Sequence, residues 1–325
     1  MRKRSPHVIP TLLSLIAVAA ICYIQIADNA PIQGVRERLE STLYDLRLRA
    51  LLPDRAEPDP RIIIVDIDEQ SLRTEGHWPW PRSKLARLVT RLRSYGTAAI
   101  GFDVVFAEAE PNPALETARA LERPGVARDA GLVKEISRIA ELIDPDQDFT
   151  EAIAAGGVVL GYTFAAETDI RVGTLPSPAL QLPAAQLDEL PFVERTSYIG
   201  NLERLQAAAD SGGFFSLQAD DDGIIRRAPL LTRYGGNIYA ALSLEVARVY
   251  LGMPPLSLVL SETGSRPILE AVSVGGMLSL PTDDSGRVLV PFRGGARSYR
   301  YVPATDVLAD SADPAWFKDA ILSLI

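Results

Sequence analysis

The sequence predicts an α/β fold: an N-terminal transmembrane helix, a mixed sheet with a parallel βαβ core and flanking helices, and a β-rich C-terminal half. Three observations carry that expectation. An uncharged apolar run fills residues 8–26. Two strand-like runs, 61–68 and 98–106, bracket an amphipathic helix pattern, and strand, helix, strand at that spacing makes a βαβ unit with parallel strands. From residue 213 onward, short apolar runs alternate with glycine-bearing turns, the texture of a β-rich region.

Taken in order, residues 1–7 form a basic tail with Arg2, Lys3 and Arg4. The run 8–26 is about 19 residues long, the length needed to span a bilayer as a helix. No Lys or Arg follows until Arg36, so the positive flank holds the N-terminus in the cytoplasm and sends the rest outward. The rival reading is a cleaved signal peptide, but its small-residue site, Ala17-Val18-Ala19, falls inside the apolar run. Residues 27–60 then read as a juxtamembrane amphipathic helix and a linker. Ile32, Val35, Leu39, Leu43 and Leu46 recur every three or four residues, and Pro53 ends the pattern. A polar, proline-bearing linker covers 54–60.

The main domain is expected over 61–325. Its first strand, 61–68, is a β-branched run. Pro81 suits the first turn of a helix, Leu85, Leu88, Val89 and Leu92 share one face, and Gly96 stops it. The second strand follows over 98–106. Residues 107–147 read as a surface excursion with helical pieces, 149–155 as a short helix and 157–164 as a third strand. The stretch 165–210 has no clear period. Phe214-Phe215-Ser216-Leu217 and Ile224-Ile225-Arg226-Arg227 flank a turn at 220–223, a hairpin signal. Ile238, Ala241, Leu242, Val246 and Val249 give a further helix, closed by Gly252 and Pro254. Turns are expected at Gly275-Gly276, Asp284-Ser285-Gly286 and Gly294-Gly295.

Composition narrows the function. The chain has 325 residues, 47% of them hydrophobic, and a formal net charge of −9. That is enough to bury a substantial core, and it disfavours a nucleic-acid partner. Cys22 is the single cysteine, so disulfides within the chain and cysteine zinc sites are excluded. His7 and His77 are the only histidines, too few for a histidine-rich metal centre. No Gly-x-Ser-x-Gly elbow and no phosphate-binding Gly-x-x-x-x-Gly-Lys loop occurs.

Three places invite a functional reading. Asp66 and Asp68 end one predicted parallel strand and Asp103 lies near the end of the next. Ligands bind at that carboxyl edge, and three carboxylates suit a divalent cation; the alternative is that they cap turns. A phosphatase of the haloacid-dehalogenase type needs threonine where Gln70 stands. Trp78-Pro79-Trp80-Pro81-Arg82 could line a pocket or pin the helix start to the sheet, and the flanking prolines favour the pin. Asp220, Asp222 and Gly223 resemble the start of a calcium loop, but position 12 would be Leu231 instead of glutamate. A hairpin turn is the expectation there. Arg226 and Arg227 either contact an anion or pair with the aspartates.

These segments resemble the CHASE type-2 domain, the second class of cyclase- and histidine-kinase-associated sensory extracellular domains. The residues concerned are Asp66-Ile67-Asp68-Glu69-Gln70-Ser71-Leu72, Gly76-His77-Trp78-Pro79-Trp80-Pro81-Arg82 and Gly101-Phe102-Asp103-Val104-Val105-Phe106. Tyr44-Asp45-Leu46-Arg47, the segment Asp220-Asp221-Asp222-Gly223 through Pro229, Asp284-Ser285-Gly286-Arg287 through Pro291-Phe292-Arg293-Gly294-Gly295, and Ala304-Thr305-Asp306-Val307-Leu308 agree. The resemblance spans residues 40–325. It implies a sensory module of a bacterial membrane signalling protein, with its main domain periplasmic or extracellular and its anchor in the inner (plasma) membrane. It also implies later membrane helices and a cytoplasmic cyclase or kinase output that residues 1–325 do not include. The expected partners are the membrane, a small-molecule or protein stimulus and a second copy in a homodimer. No catalytic residue and no cofactor is expected, a divalent cation at Asp66, Asp68 and Asp103 apart. Two other readings stand beside it: a periplasmic metal-dependent hydrolase using those three aspartates, and a scaffold or dimerisation domain without a ligand.

Overall fold

The structure is a computed structural model. It describes residues 8–26, 30–52, 59–121, 123, 130–165, 170–220, 222–261, 266–295 and 297–325. The basic tail, most of the expected linker and Asp221 lie outside the described residues. The chain divides into two units, Met1–Ala56 with Phe292–Ser298, and Glu57–Pro291 with Tyr299–Ile325.

In the first unit the apolar run forms helix α1 (Val8–Ile26) and the next periodic stretch forms α2 (Ala30–Leu51). Leu12, Leu13, Leu15, Ile16, Val18, Ile21 and Tyr23 of α1 are exposed, as are Leu39, Leu43 and Leu46 of α2. Among the described residues no helix is long and apolar enough to cross a membrane. The helix expected over 8–26 is therefore present, but the span is not shown. Its 19 residues rise about 28 Å at 1.5 Å each.

Among the described residues the second unit is built on an eight-stranded main sheet and three smaller sheets. Strand β1 (Ile62–Asp66) is followed by α3 (Glu69–Glu75), α4 (Arg82–Ser94) and β2 (Ala99–Phe102). Helices α5 (Pro113–Leu121), α6 (Ala130–Glu141) and α7 (Gln147–Ala154) make up the excursion and its exit. Next come β3 (Val158–Ala165), β4 (Arg171–Val172), α8 (Ala184–Glu189), β5 (Glu194–Arg195), β6 (Ser197–Ile199), α9 (Glu203–Ala208) and β7 (Ser211–Phe214). The later half holds β8 (Arg227–Pro229), β9 (Leu231–Tyr234), β10 (Asn237–Ala240), α10 (Leu242–Tyr250), β11 (Leu256–Ser261), β12 (Ile268–Val274), β13 (Leu278–Pro281) and β14 (Arg287–Leu289). It closes with β15 (Arg300–Pro303), α11 (Ala304–Leu308), a 3₁₀ turn at Pro314–Trp316 and β16 (Ile321–Leu324).

The main sheet runs β15-β1-β16-β2-β3, with β7 beside the first half of β3 and β6 then β4 beside its last residues. From β15 to β7 every pairing is parallel. The βαβ expectation holds in direction. It fails in adjacency, because β16 lies between β1 and β2.

Side chains alternate across the sheet. Ile63, Val65, Ile100, Phe102, Val158, Leu160, Leu322 and Leu324 join the buried faces of α4, α7 and α11 in the largest core cluster. Ala99 and Val159 point the other way, against Leu242 and Val246 of α10. Glycines let α10 lie close: a Cβ on Gly213 would sit 2.3 Å from Leu242 Cα, and one on Gly101 2.6 Å from a Val246 methyl.

The β-rich part consists of three small sheets, β10-β9-β5, β11-β12-β13 and β14-β8. The expected hairpin around 220–223 is not formed. A turn is present, but β7 is taken up by β3 and β8 pairs with β14. The helix expected from Ile238 begins only at Leu242; Asn237–Ala240 is a strand paired with β9. Apolar residues at 238, 241 and 242 fit either period over so short a stretch.

Candidate functional site

The carboxyl edge of the main sheet carries the three predicted aspartates. Asp66 ends β1, and Asp68 caps α3 by accepting the Ser71 backbone N–H at 2.8 Å. Asp103 follows β2, and its own N–H donates to Leu324 O at 2.9 Å. That bond shows what keeps the aspartates apart. Strands lie about 4.8 Å from their neighbours, so with β16 between them β1 and β2 are about 10 Å apart. Among the described residues no group of three or more His, Cys, Asp or Glu is placed to hold a metal ion. Desolvation raises the Asp103 pKa above its usual range.

The Trp-Pro-Trp-Pro-Arg run forms the corner between α3 and α4. Trp80 is 2% exposed, and its indole N–H donates to Gly76 O at 2.8 Å. Trp78 is 38% exposed; its ring centroid lies 6.2 Å from that of Trp80. The Trp78–Pro79 peptide bond is cis, and Pro81 immediately precedes α4. Arg82 lays its guanidinium 4.4 Å from the Phe106 ring centroid and donates to Asp146 Oδ1 at 3.2 Å and Glu108 O at 3.1 Å. The Glu110 carboxylate accepts the Arg82 backbone N–H at 2.8 Å. Asp146 is buried and also takes a hydrogen bond from Arg204, which pairs with Asp144 as well. Arg82 of α4 and Arg204 of α9 thus meet on Asp146 at the start of α7, and Arg82 also holds the segment after β2. Asp146 and Arg204 escaped sequence reasoning, because no local pattern links residues so far apart in the chain.

At the third place Gly223 N–H donates to Asp220 O at 2.8 Å, closing a turn in which Gly223 has φ 80°. Arg226 is 3% exposed and forks onto Asp222, with Nη1 to Oδ1 at 2.9 Å and Nη2 to Oδ2 at 2.8 Å. Nη1 also reaches Asp220 Oδ2 at 3.1 Å. The Arg226 hydrogen bonds hold the Asp222 pKa down to about 2. Arg227 lies apart from this fork and opens β8, opposite Leu289.

A cavity of about 540 Å³ opens at the start of β7, walled by α9, α10 and residues 174–179. Its floor holds a buried ion pair: Glu245, 2% exposed, accepts from Arg248 Nη1 and from Ser211 Oγ, each at 2.6 Å. Gln206 is buried beside it and accepts through Oε1 from Asn201 Nδ2 at 3.3 Å. Asn201, fully enclosed, also donates to Gly161 O and accepts from the Phe106 N–H. Tyr239, another lining residue, is 7% exposed, and burial raises its pKa. The Tyr162 hydroxyl, outside that lining, has no hydrogen-bond partner among the described residues. Burial first, then the fields of Tyr239 and Glu245, push its pKa well above 10. One signal for this cavity was present in the sequence. Glu245 interrupts the apolar stripe of Leu242, Val246 and Val249, and a carboxylate on a buried helix face requires partners. The rest of the lining comes largely from the stretch without a readable period.

No curated protein and no solved structure matches the chain. A family model does, over residues 16–322, and its description is CHASE2 domain.

Proposed function

The chain belongs to the CHASE2 domain family, and from that premise we propose that it is the extracytoplasmic sensory module of a membrane-bound signalling protein. The match over residues 16–322 carries this reading, because it takes in nearly all of the second unit and the first unit from residue 16 onward. The family is one of sensory extracellular domains, so the coarse function is perception and not catalysis. The finer proposal has four parts. The N-terminus lies in the cytoplasm, held by Arg2, Lys3 and Arg4. Helix α1, with its exposed apolar side chains, anchors the chain. A stimulus acts on the domain outside, and a cyclase or kinase responds inside. A homodimer belongs to the proposal too: Leu39, Leu43 and Leu46 are exposed at four- and three-residue spacing on α2, as in paired helices.

A reporter enzyme active only after export, fused after residue 60, tests the orientation. It is expected to be active, with a cytoplasm-dependent reporter silent at the same junction. The reverse pattern would overturn the orientation and with it the extracytoplasmic reading.

A further inference from the structure

We propose that the cavity at the start of β7 seats a small organic ligand carrying a primary ammonium group, an inference that rests on the sensory reading above. Its volume, about 540 Å³, lies in the range of small-molecule sites. Tyr239 and Gln206 line the cavity, and each residue is only 7% exposed. Among the described residues the Gln206 side chain is bonded through Oε1 alone, and neither its Nε2 nor the Tyr239 hydroxyl has a protein partner, so both are left to face the cavity. A bound molecule offering donors and acceptors would satisfy the two groups that reach the open space.

Charge selects the class of molecule. Arg248 and Glu245 neutralise each other on the floor. Two further carboxylates line the space, Glu203 and Asp210, both exposed. Asp210 uses Oδ2 to accept the Val158 N–H at 3.0 Å, leaving Oδ1 without a partner among the described residues; the Glu203 carboxylate has none there either. The uncompensated charge of the lining is therefore negative. An ammonium group held between those carboxylates gains charge-assisted hydrogen bonds, while an anion is repelled.

The test uses the full chain in detergent micelles, with 1,4-diaminobutane as probe and 1,4-butanediol and succinate as neutral and anionic counterparts of the same length. Calorimetric titration is expected to show saturable binding of the diamine alone, together with a raised melting temperature. The Glu203→Gln/Asp210→Asn double variant alters two exposed carboxylates; it is expected to melt like the parent and to bind at least tenfold more weakly. Tyr239→Phe removes only the hydroxyl and is expected to weaken binding severalfold. Absence of diamine binding, equal binding of the diol, or undiminished binding by the double variant would each overturn the proposal. Calorimetry reads the cavity without any signalling output, and the export reporter reads orientation without any ligand, so failure of one reading is distinguishable from failure of the other.

Discussion

Trp80 is enclosed and donates its indole N–H to Gly76 O, whereas Trp78, two residues earlier, keeps 38% of its surface exposed. Truncating a buried large aromatic typically costs about 3–5 kcal/mol, and a surface change about 0.5 kcal/mol. Trp80→Ala is therefore expected to melt far below the parent in a denaturant or thermal scan, and Trp78→Ala close to it. Parent-like melting of Trp80→Ala would remove the case for a structural pin. The motif itself was legible, because interleaved tryptophans and prolines stand out in any sequence. Which tryptophan is buried was not, since a turn has no period to assign faces. The aspartates Asp66, Asp68 and Asp103 were legible as strand-end residues, but their separation depends on a strand more than two hundred residues later.

Strands and amphipathic helices with a clean period were legible at the scale of elements. Helix α4 buries Leu85, Leu88, Val89 and Leu92 as its spacing implies. Strands β1 and β3 lie within two residues of expectation, whereas β2 ends at Phe102, four residues short of the expected 106. Partner choice was not legible, because pairing is set by tertiary fit. The apolar runs around 220–223 invited a hairpin and instead joined β3 and β14 separately. Helix α10 shows how tight that fit is. A methyl on Gly213 would meet the Leu242 backbone at 2.3 Å, and backbone cannot rotate aside. Gly213→Ala is expected to lower stability by about 1–3 kcal/mol, the usual cost of overpacking, read from the urea midpoint of the full chain. An unchanged midpoint would mean that α10 is not held against the sheet at this distance.

For the molecule as a whole, arginines set the response to acid. Hydrogen bonds from Arg204 and Arg226 lower the pKa of Asp144 and Asp222, the latter to about 2. A lowered carboxylate pKa contributes stability that is present above the ordinary value of 3.8 and is lost as the pH falls toward the folded value. Asp103 has the opposite sign: its raised pKa makes ionisation unfavourable to folding, and that penalty is relieved as the pH drops. The paired aspartates are the larger group, so the melting temperature is expected to fall mainly between pH about 4 and about 2. Arg226→Met should shallow that fall. A melting temperature constant across the window would contradict the pairing described at both arginines.

Strand β16 has a consequence for the order in which the domain can assemble. Residues 62–66 and 99–102 are made early, but each has its hydrogen-bonding neighbour in residues 321–324. A nascent chain lacking that segment therefore leaves two facing strand edges unsatisfied, the kind of surface that recruits other chains. Contacts so distant in sequence are slow to form. The β15-β1 and β2-β3-β7 parts of the sheet are bridged by this late keystone, and until it is delivered the two cannot be joined.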